Sequence, residues 1–329
     1  MLDSLAPRPE GAILPDGMIA ARLETADGVS IRAAFLAPSE GSAKGTVIFI
    51  QGRGEFIEKY GEIYAELHRR GFGVVTFDLR GQGGSARQLG NPRKGHVEDF
   101  EDYLIDLAAV IEATRQRALP EPFGLLAHST GGAVGLLALE RGDFPFRRAV
   151  FSSPLVGLPG LAGSTGARLL ARVLASLGLS GLFVPGGGRR SILEKPFEEN
   201  PLTHDAHRFA LAGAWLKTEP ALGVGDPTIG WVDAAFEAMN RFADPDFGAR
   251  NETPLLILTA GDDTVVDKNA AAALASRMRA ASAIELRGAH HEIMIETNQI
   301  LEQFWSAFDA FMLLPRPQAE ETAREAPSP

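Results

Sequence analysis

The sequence predicts an α/β protein in which helices flank a mostly parallel central sheet and a helical lid is inserted late in the chain. Short apolar runs alternate with glycine-rich turns and helical segments, a pattern typical of parallel strands buried on both faces. The alternation is interrupted once, over residues 156–251. The length of 329 residues, 45% of them hydrophobic, suits one large α/β domain with such an insertion.

The strands are predicted from apolar runs that are rich in β-branched residues. Two stretches, Met18–Leu23 and Val29–Leu36, flank the turn-like Ala26-Asp27-Gly28 and predict an antiparallel hairpin. The runs that follow predict the parallel strands, at Thr46–Ile50, Gly73–Phe77, Gly124–Leu126, Ala149–Ser152, Leu255–Thr259 and Ala283–Leu286.

An amphipathic helix is predicted between the second and third of these parallel strands. Its apolar residues recur three and four positions apart, at Val97, Phe100, Leu104, Leu107 and Ile111. Acidic residues fall in its first turns, where the helix dipole favours negative charge, at Glu98, Asp99, Glu101 and Asp102.

The chain is expected to divide into a core, a lid and two flanking segments. Residues 1–17, rich in proline and polar groups, predict a flexible N-terminal arm, and residues 315–329 predict a disordered tail. The α/β core comprises residues 18–155 and 252–314. Residues 156–251 predict the lid, because apolar helical patches replace the strand-turn-helix alternation there, at Leu169, Leu170, Val173, Leu174 and Leu177.

Composition excludes several classes of function. The chain has no cysteine, so disulfides, thiolate nucleophiles and cysteine metal sites are excluded. A net charge of −10 without an obvious basic face disfavours nucleic-acid binding. No apolar run is long enough to span a bilayer, and the N-terminus lacks a secretory signal pattern. We therefore expect a soluble, cytoplasmic protein, with peripheral membrane contact possible and the oligomeric state open.

A candidate nucleophile lies in the segment AHSTGG at residues 127–132. An apolar run leads into Ser129 and a helix of small residues leads out, as in a nucleophile elbow, where a sharp strand-to-helix turn exposes the serine hydroxyl. Small residues are needed two positions before and after the serine, and Ala127 and Gly131 meet this need. The alternative is a serine N-cap at an ordinary turn.

An acid and a base follow later strands. The segment GDDTVVD (residues 261–267) comes after LLILT and places carboxylates on a loop that could orient a histidine. The segment GAHHE (residues 288–292) comes after the final strand. The order serine, acid, histidine, with each at the carboxyl end of a strand, is that of the α/β-hydrolase fold. The simpler interpretation of a histidine pair in a loop is a solvated turn.

A second glycine-rich turn can supply an oxyanion hole. Gly52-Arg53-Gly54 follows the strand TVIFI, and glycines let the backbone approach a substrate closely. We assign the oxyanion hole to the backbone amides of Arg53 and Thr130; the alternative is a structural glycine turn.

Taken together, these motifs resemble the serine α/β-hydrolases of the monoacylglycerol lipase and lysophospholipase L2 type. The resemblance spans residues 20 to 312 and is carried by QGRGE, FDLRGQGGS, GHVEDFEDYLIDL, AHSTGG, GDDTVVD and GAHHE, and in the lid by NPLTHDAHRF and PTIGW. It implies Ser129 as nucleophile, Asp263 as acid and His291 as base. Asp262 and Asp267 remain alternatives for the acid, and His290 for the base.

The sequence departs from the family pattern at two positions. Gln51 stands where the family usually has histidine, and Ala127 where it usually has glycine. The first could change how the oxyanion loop is braced, whereas neither removes a member of the triad.

The implied activity is hydrolysis of a lipid-like carboxylic ester, a lysophospholipid or a monoacylglycerol, through an acyl-enzyme on Ser129. Leucine-rich lid helices suggest an apolar pocket for an acyl chain. One alternative is a proline iminopeptidase-like aminopeptidase, whose amine-binding carboxylates could be Glu194, Glu198 and Glu199. Another is a non-catalytic ligand-binding protein on the same fold.

No cofactor and no metal ion is expected. The segment GQGGSA (residues 81–86) imitates a dinucleotide-binding turn, but an acidic helix follows where that motif needs a second strand ending in an acid. No phosphate-binding loop of the GxxxxGK[ST] type occurs. His204 and His207 are spaced as metal ligands, but no third ligand is apparent in the sequence.

Overall fold

The central sheet has eight strands. The computed structural model describes residues 3–39, 41, 43–160 and 165–313, with only the backbone of Thr165. The strands are β1 (Ile19–Glu24), β2 (Ser30–Leu36), β3 (Thr46–Ile50), β4 (Gly73–Phe77), β5 (Phe123–His128), β6 (Phe146–Ser152), β7 (Leu255–Ala260) and β8 (Ala281–Leu286).

The spatial order is β1-β2-β4-β3-β5-β6-β7-β8. β2 runs antiparallel to β1 and to β4, and every other neighbouring pair is parallel. Every residue of β3, β4, β5 and β7 is buried, which explains why these strands appear in the sequence as unbroken apolar runs. The predicted hairpin and the mostly parallel sheet are confirmed.

The described residues form eight longer helices, and helices pack on both faces of the sheet. They are α1 (Gly61–Arg69), α2 (Glu101–Gln116), α3 (Ser129–Arg141), α4 (Thr165–Leu174), α5 (Ala206–Thr218), α6 (Ile229–Ala243), α7 (Lys268–Arg277) and α8 (Asn298–Met312). Apolar residues of α1 and α8 pack in one core cluster, and those of α2, α3, α6 and α7 pack in another.

The helix α2 begins later than its apolar stripe. Val97 and Phe100 are buried as expected, but the helix starts at Glu101, so Glu98 and Asp99 precede its first turn. The residues just before α2 are also buried because the loop that leads into the helix packs on the same core cluster.

The connection from β6 to β7 is helical, as the lid prediction requires. It holds α4, α5 and α6, and its described residues contain no strand, only an isolated bridge between Phe183 and Thr228. The function of this segment as a lid stays a prediction.

The segments flanking the core were predicted to be irregular. Residues 3–17 contain neither helix nor strand, and they contact the core, where the Asp3 amide donates to Ala20 O at 3.0 Å and the Ala6 amide to Glu58 Oε1 at 2.8 Å. The flexibility of this arm stays a prediction, and the predicted tail lies outside the described residues. Across the described ranges, no helix is both long and apolar enough to cross a membrane.

The close approach of α3 to the sheet leads to a stability prediction at Gly131. A Cβ added there would lie 2.3 Å from Ile50 O, a backbone atom that cannot move aside alone. Gly131→Ala should therefore lower the free energy of unfolding by about 1–3 kcal/mol, measured by urea denaturation.

The matched control is Gly90→Ala, where an added Cβ meets nothing within 4 Å. This change should stay within about 0.5 kcal/mol of the parent protein. Equal stability of the two variants would contradict the packing argument.

Candidate active site

Ser129 lies at the sharp turn between β5 and α3. Its backbone φ is +51°, a conformation that costs a non-glycine residue energy and that clusters at functional sites. The turn places Ser129 at the carboxyl edge of the sheet and at the N-terminus of α3, where partial positive charge favours an anion. Ala127 is fully buried in β5, so the strand accommodates its methyl group.

His291 connects Ser129 to Asp263. His291 Nε2 lies 3.0 Å from Ser129 Oγ, and His291 Nδ1 lies 2.9 Å from Asp263 Oδ2. With Nδ1 donating its proton to the carboxylate, Nε2 is left to accept from the serine hydroxyl. The structure thus brings together the three side chains that the resemblance selected, from the ends of β5, β7 and β8.

Asp263 is held as a carboxylate. Its other oxygen, Oδ1, accepts from the amides of Val265 at 2.8 Å and Val266 at 3.0 Å. Burial alone would raise the pKa of Asp263, but the hydrogen bond and charge of His291, together with these amides, outweigh it and leave the pKa below its ordinary value.

The rival residues lie elsewhere. The carboxylate of Asp267 caps α7, where it accepts from the amides of Asn269 and Ala270. His290 packs against His204, with ring centroids 3.6 Å apart. Neither these residues nor Asp262 hydrogen-bonds to His291 or Ser129.

The glycine-rich loop of residues 52–54, which the sequence analysis assigned to an oxyanion hole, lies directly beside Ser129. A Cβ added to Gly52 would lie 2.9 Å from Glu55 Oε2 and 3.1 Å from Ser129 Cβ, so a larger residue would have to displace its neighbours. The Gly52 amide donates to Glu55 Oε2 and the Gly54 amide to Gln82 Oε1, whereas the Arg53 amide between them has no acceptor among the described residues. Thr130 lies in the first turn of α3, where amides lack an intrahelical partner.

A buried ion network, which the sequence analysis missed, underlies this loop. Lys59 Nζ binds Glu55 Oε1 at 2.8 Å and Glu292 Oε1 at 2.5 Å, and the hydroxyl of Tyr60 donates to the same Glu55 oxygen. Burial opposes ionisation of Glu55, but the charge of Lys59 outweighs it and lowers the pKa of Glu55 to about 2. Burial keeps the pKa of Glu292 above its ordinary value. A Glu-Lys pair four residues apart in a helical stretch was the available sequence signal.

His128 is a buried histidine beside the triad. Its Nδ1 donates to Ser152 O at 3.0 Å, and its ring centroid lies 4.9 Å from that of His291. Burial, partly opposed by Glu55, lowers the pKa of His128 to about 4. This imidazole is therefore neutral at physiological pH.

A cavity of about 330 Å³ opens over Ser129 and His291. Its apolar lining is drawn from both the core and the β6–β7 connection, and includes Leu155, Leu158, Ile192, Leu193, Leu202, Trp231, Val232, Met239, Val265 and Val266. Four of the five lid residues on which the sequence argument for an apolar pocket relied are instead exposed, Leu174 is half-buried, and none of the five lines the cavity; the exposed ones are Leu169, Leu170, Val173 and Leu177. The cavity is apolar as expected, but its apolar lining comes from residues other than those that the sequence analysis named.

Two groups of side chains offer metal-ligand atoms within 4.8 Å of one another, Glu55-His128-Glu292 and His204-His290-Glu296. In the first, the ammonium of Lys59 already lies between the two carboxylates. In the second, Glu296 accepts from the side chain of His204 and from three backbone amides. Both groups are held together without an ion. His207 belongs to neither.

Residues 41–298 match the family model described as serine aminopeptidase, S33 (Hydrolase_4). The chain is 33% identical to lysophospholipase L2 of Escherichia coli over 262 residues, which cover 76% of this chain and 75% of that protein. It is 29% identical to the probable lysophospholipase L2 of Haemophilus influenzae, over 83% of this chain and 85% of the relative.

Solved structures share the fold. A soluble variant of monoglyceride lipase from Saccharomyces cerevisiae superposes with a TM-score of 0.70 at 19% identity, covering 94% of this chain and 98% of that one. The monoacylglycerol lipase of Paleococcus ferrophilus gives a TM-score of 0.65 at 20% identity, covering 86% and 98%.

The buried ion network predicts a large stability effect at Lys59. Lys59→Met leaves the carboxylate of Glu55 buried without its cation, and should lower the free energy of unfolding by about 3–5 kcal/mol at pH 7 in urea denaturation. The control Arg69→Met removes a largely exposed partner of Glu66 and should cost less than about 1 kcal/mol. Similar losses for the two variants would contradict the role given to Lys59.

The lowered pKa of His128 predicts a pH dependence of stability. Between pH 6.5 and about 4 the unfolded chain binds a proton at this position and the folded chain does not, so stability present above pH 6.5 is lost on acidification. In His128→Gln the slope of unfolding free energy against pH in this window should be shallower by up to about 1.4 kcal/mol per pH unit.

Urea denaturation at a series of pH values measures this slope. The control His207→Gln removes an exposed histidine and should keep the parental slope. A parental slope in His128→Gln would show that His128 does not titrate as described.

Proposed function

The chain belongs to the Hydrolase_4 family, and from this membership and the geometry of the site we propose that it hydrolyses carboxylic esters of lipid-like substrates, lysophospholipids or monoacylglycerols. The observation that carries the proposal is the hydrogen-bonded chain Ser129–His291–Asp263 opening into an apolar cavity. The names of the relatives, lysophospholipase L2 and monoglyceride lipase, support this substrate class.

The proposed reaction begins with attack of Ser129 Oγ on the ester carbonyl. His291 Nε2 accepts the serine proton, while Asp263 holds the imidazole tautomer and stabilises the imidazolium. The imidazolium then protonates the departing alcohol, which leaves an acyl-enzyme on Ser129. Water activated by His291 releases the acid and restores the serine.

The amides of Arg53 and Thr130 are proposed to bind the oxyanion. The amide of Arg53 has no acceptor in the described part of the chain, and the loop that carries it is fixed against Ser129 at Gly52. Donors held in place before the reaction stabilise the developing charge without reorganising.

Residues 156–251 are proposed to act as the lid. They contribute Ile192, Leu193, Leu202, Trp231 and Met239 to the cavity. The acyl chain of the substrate would therefore lie between the sheet edge and this segment.

An aminopeptidase would need carboxylates in this cavity to hold a substrate amine. Glu194 is paired with Arg93, Glu198 and Glu199 are exposed, and none of these three lines the cavity. Glu55 and Glu292 do line it, but the ammonium of Lys59 already pairs with both. A non-catalytic binding protein would have no use for the intact hydrogen-bonded triad. The site therefore favours ester hydrolysis over both alternatives.

Replacement of the nucleophile tests the proposed reaction. Ser129→Ala should lower kcat/KM on medium-chain p-nitrophenyl esters by about 10³-fold or more and should abolish labelling by a fluorophosphonate. The control Ser276→Ala, on the exposed face of α7, should keep both properties. Labelling of Ser129→Ala at the parental level would refute the assignment, and faster turnover of prolyl anilides than of esters would favour the aminopeptidase.

A further inference from the structure

The guanidinium of Arg53 is largely buried beside the active site without a carboxylate partner. Within the described ranges no acidic side chain lies within 4.0 Å of it, and its one side-chain hydrogen bond runs from Nη2 to Gly225 O at 2.9 Å. Its Nε is enclosed by protein and has no hydrogen-bond partner among the described residues. One donor is thus unsatisfied inside the protein, and the charge of the guanidinium has no carboxylate partner in the described part of the chain.

The two most deeply buried arginines of the described residues are paired with carboxylates, and Arg87, which has no carboxylate partner, donates to four backbone carbonyls. Arg32 contacts both Glu58 and Asp78, and Arg80 contacts both Asp27 and Asp106. An unpaired buried charge is costly, so proteins rarely keep one without a partner or a ligand. Arg53 therefore differs from Arg32 and Arg80 in lacking an internal counter-ion.

The guanidinium of Arg53 is positively charged, and no neighbouring carboxylate among the described residues neutralises this charge. Burial lowers the pKa of Arg53 to about 10, with weak opposing effects from Tyr103 and Asp226, so the side chain is still cationic at neutral pH. The guanidinium lies over the ring of Trp231, 5.1 Å from its centroid, and Trp231 Nε1 donates to Tyr103 OH at 3.2 Å. The guanidinium is therefore held in place, which lowers the entropic cost of binding an anion.

The position of Arg53 places its side chain close to the ester group that Ser129 is proposed to attack. Arg53 and Trp231 line the same cavity as Ser129, and the backbone amide of Arg53 belongs to the proposed oxyanion loop. A group bound by this side chain would therefore belong to the part of the substrate close to the scissile carbonyl, not to the far end of the acyl chain.

We propose that the Arg53 guanidinium binds the phosphate of a lysophospholipid and is the residue that selects phosphate-bearing monoacyl esters over neutral glycerides at this site. A guanidinium matches a phosphate with parallel charge-assisted hydrogen bonds, and in a lysophospholipid the phosphate lies one glycerol unit from the ester. The inference rests on the proposed ester hydrolysis. No bond to phosphorus changes: water cleaves the acyl ester and releases a fatty acid and a glycerophosphoalcohol.

The test compares 1-lauroyl-lysophosphatidylcholine with 1-lauroylglycerol, below their micellar concentrations. In Arg53→Met the ratio of kcat/KM for the phosphate ester to that for the glyceride should fall about 10- to 100-fold. Arg53→Lys keeps the charge but loses the planar fork, and its ratio should fall less. An unchanged ratio, including equal losses on both substrates, would overturn the proposal.

Arg93→Met is the matched control, because Arg93 is already neutralised by Glu194 and does not line the cavity. Its ratio should stay within about twofold of the parent. A fall as large as that of Arg53→Met would show a general charge effect and would overturn the specific role of Arg53.

A binding measurement separates this inference from the proposed chemistry. In Ser129→Ala protein, a non-cleavable ether analogue of the lysophospholipid should bind at least 10-fold more tightly than the matching alkylglycerol, and the added Arg53→Met (or Arg53→Lys, should Met not fold) should shrink this difference. Equal affinities would overturn the inference.

Inorganic phosphate competing as strongly as the ether lipid would show a free-anion site instead. Loss of ester turnover in every assay would refute the proposed function, whereas turnover with an unchanged ratio refutes the role of Arg53 alone.

Discussion

A single ammonium group holds together the two loops between which Ser129 lies. Lys59 Nζ contacts Glu55, whose carboxylate also accepts from the Gly52 amide, and Glu292, the residue after His291. Because these groups are buried, their attraction is little screened by solvent. The proposed oxyanion loop and the loop that carries His291 are therefore fixed relative to each other. The spacing between the proposed nucleophile, base and oxyanion donors thus depends on this ion network.

The turn at Ser129 is a strained element that lies between the two loops joined by this ion network. A positive φ at serine costs of order 1–3 kcal/mol, which the packing around the turn must offset. That packing leaves no room at Gly131, where the backbone of β3 touches the first turn of α3. Because of this turn, the serine hydroxyl projects at the sheet edge within hydrogen-bond distance of His291.

The cavity has two chemically different regions, which suit two different parts of the proposed substrate. Most of its lining is apolar and suits an acyl chain, whereas Arg53 offers a cation beside the reacting centre. The buried charge of Lys59 is satisfied within the protein, and that of Arg53 is not. This contrast explains why the first is assigned to structure and the second to substrate binding.

The sequence by itself determined the fold class, the strands of the core and the order of Ser129, Asp263 and His291 at strand ends, because burial on both faces and chain order leave local patterns. Only the tertiary structure decided which residues line the cavity, since Leu169 and its neighbours are apolar yet exposed. It also revealed the Glu292–Lys59 pair, 233 residues apart in the chain. A local pattern records that a residue is buried or charged, whereas its partner is chosen by how distant segments pack.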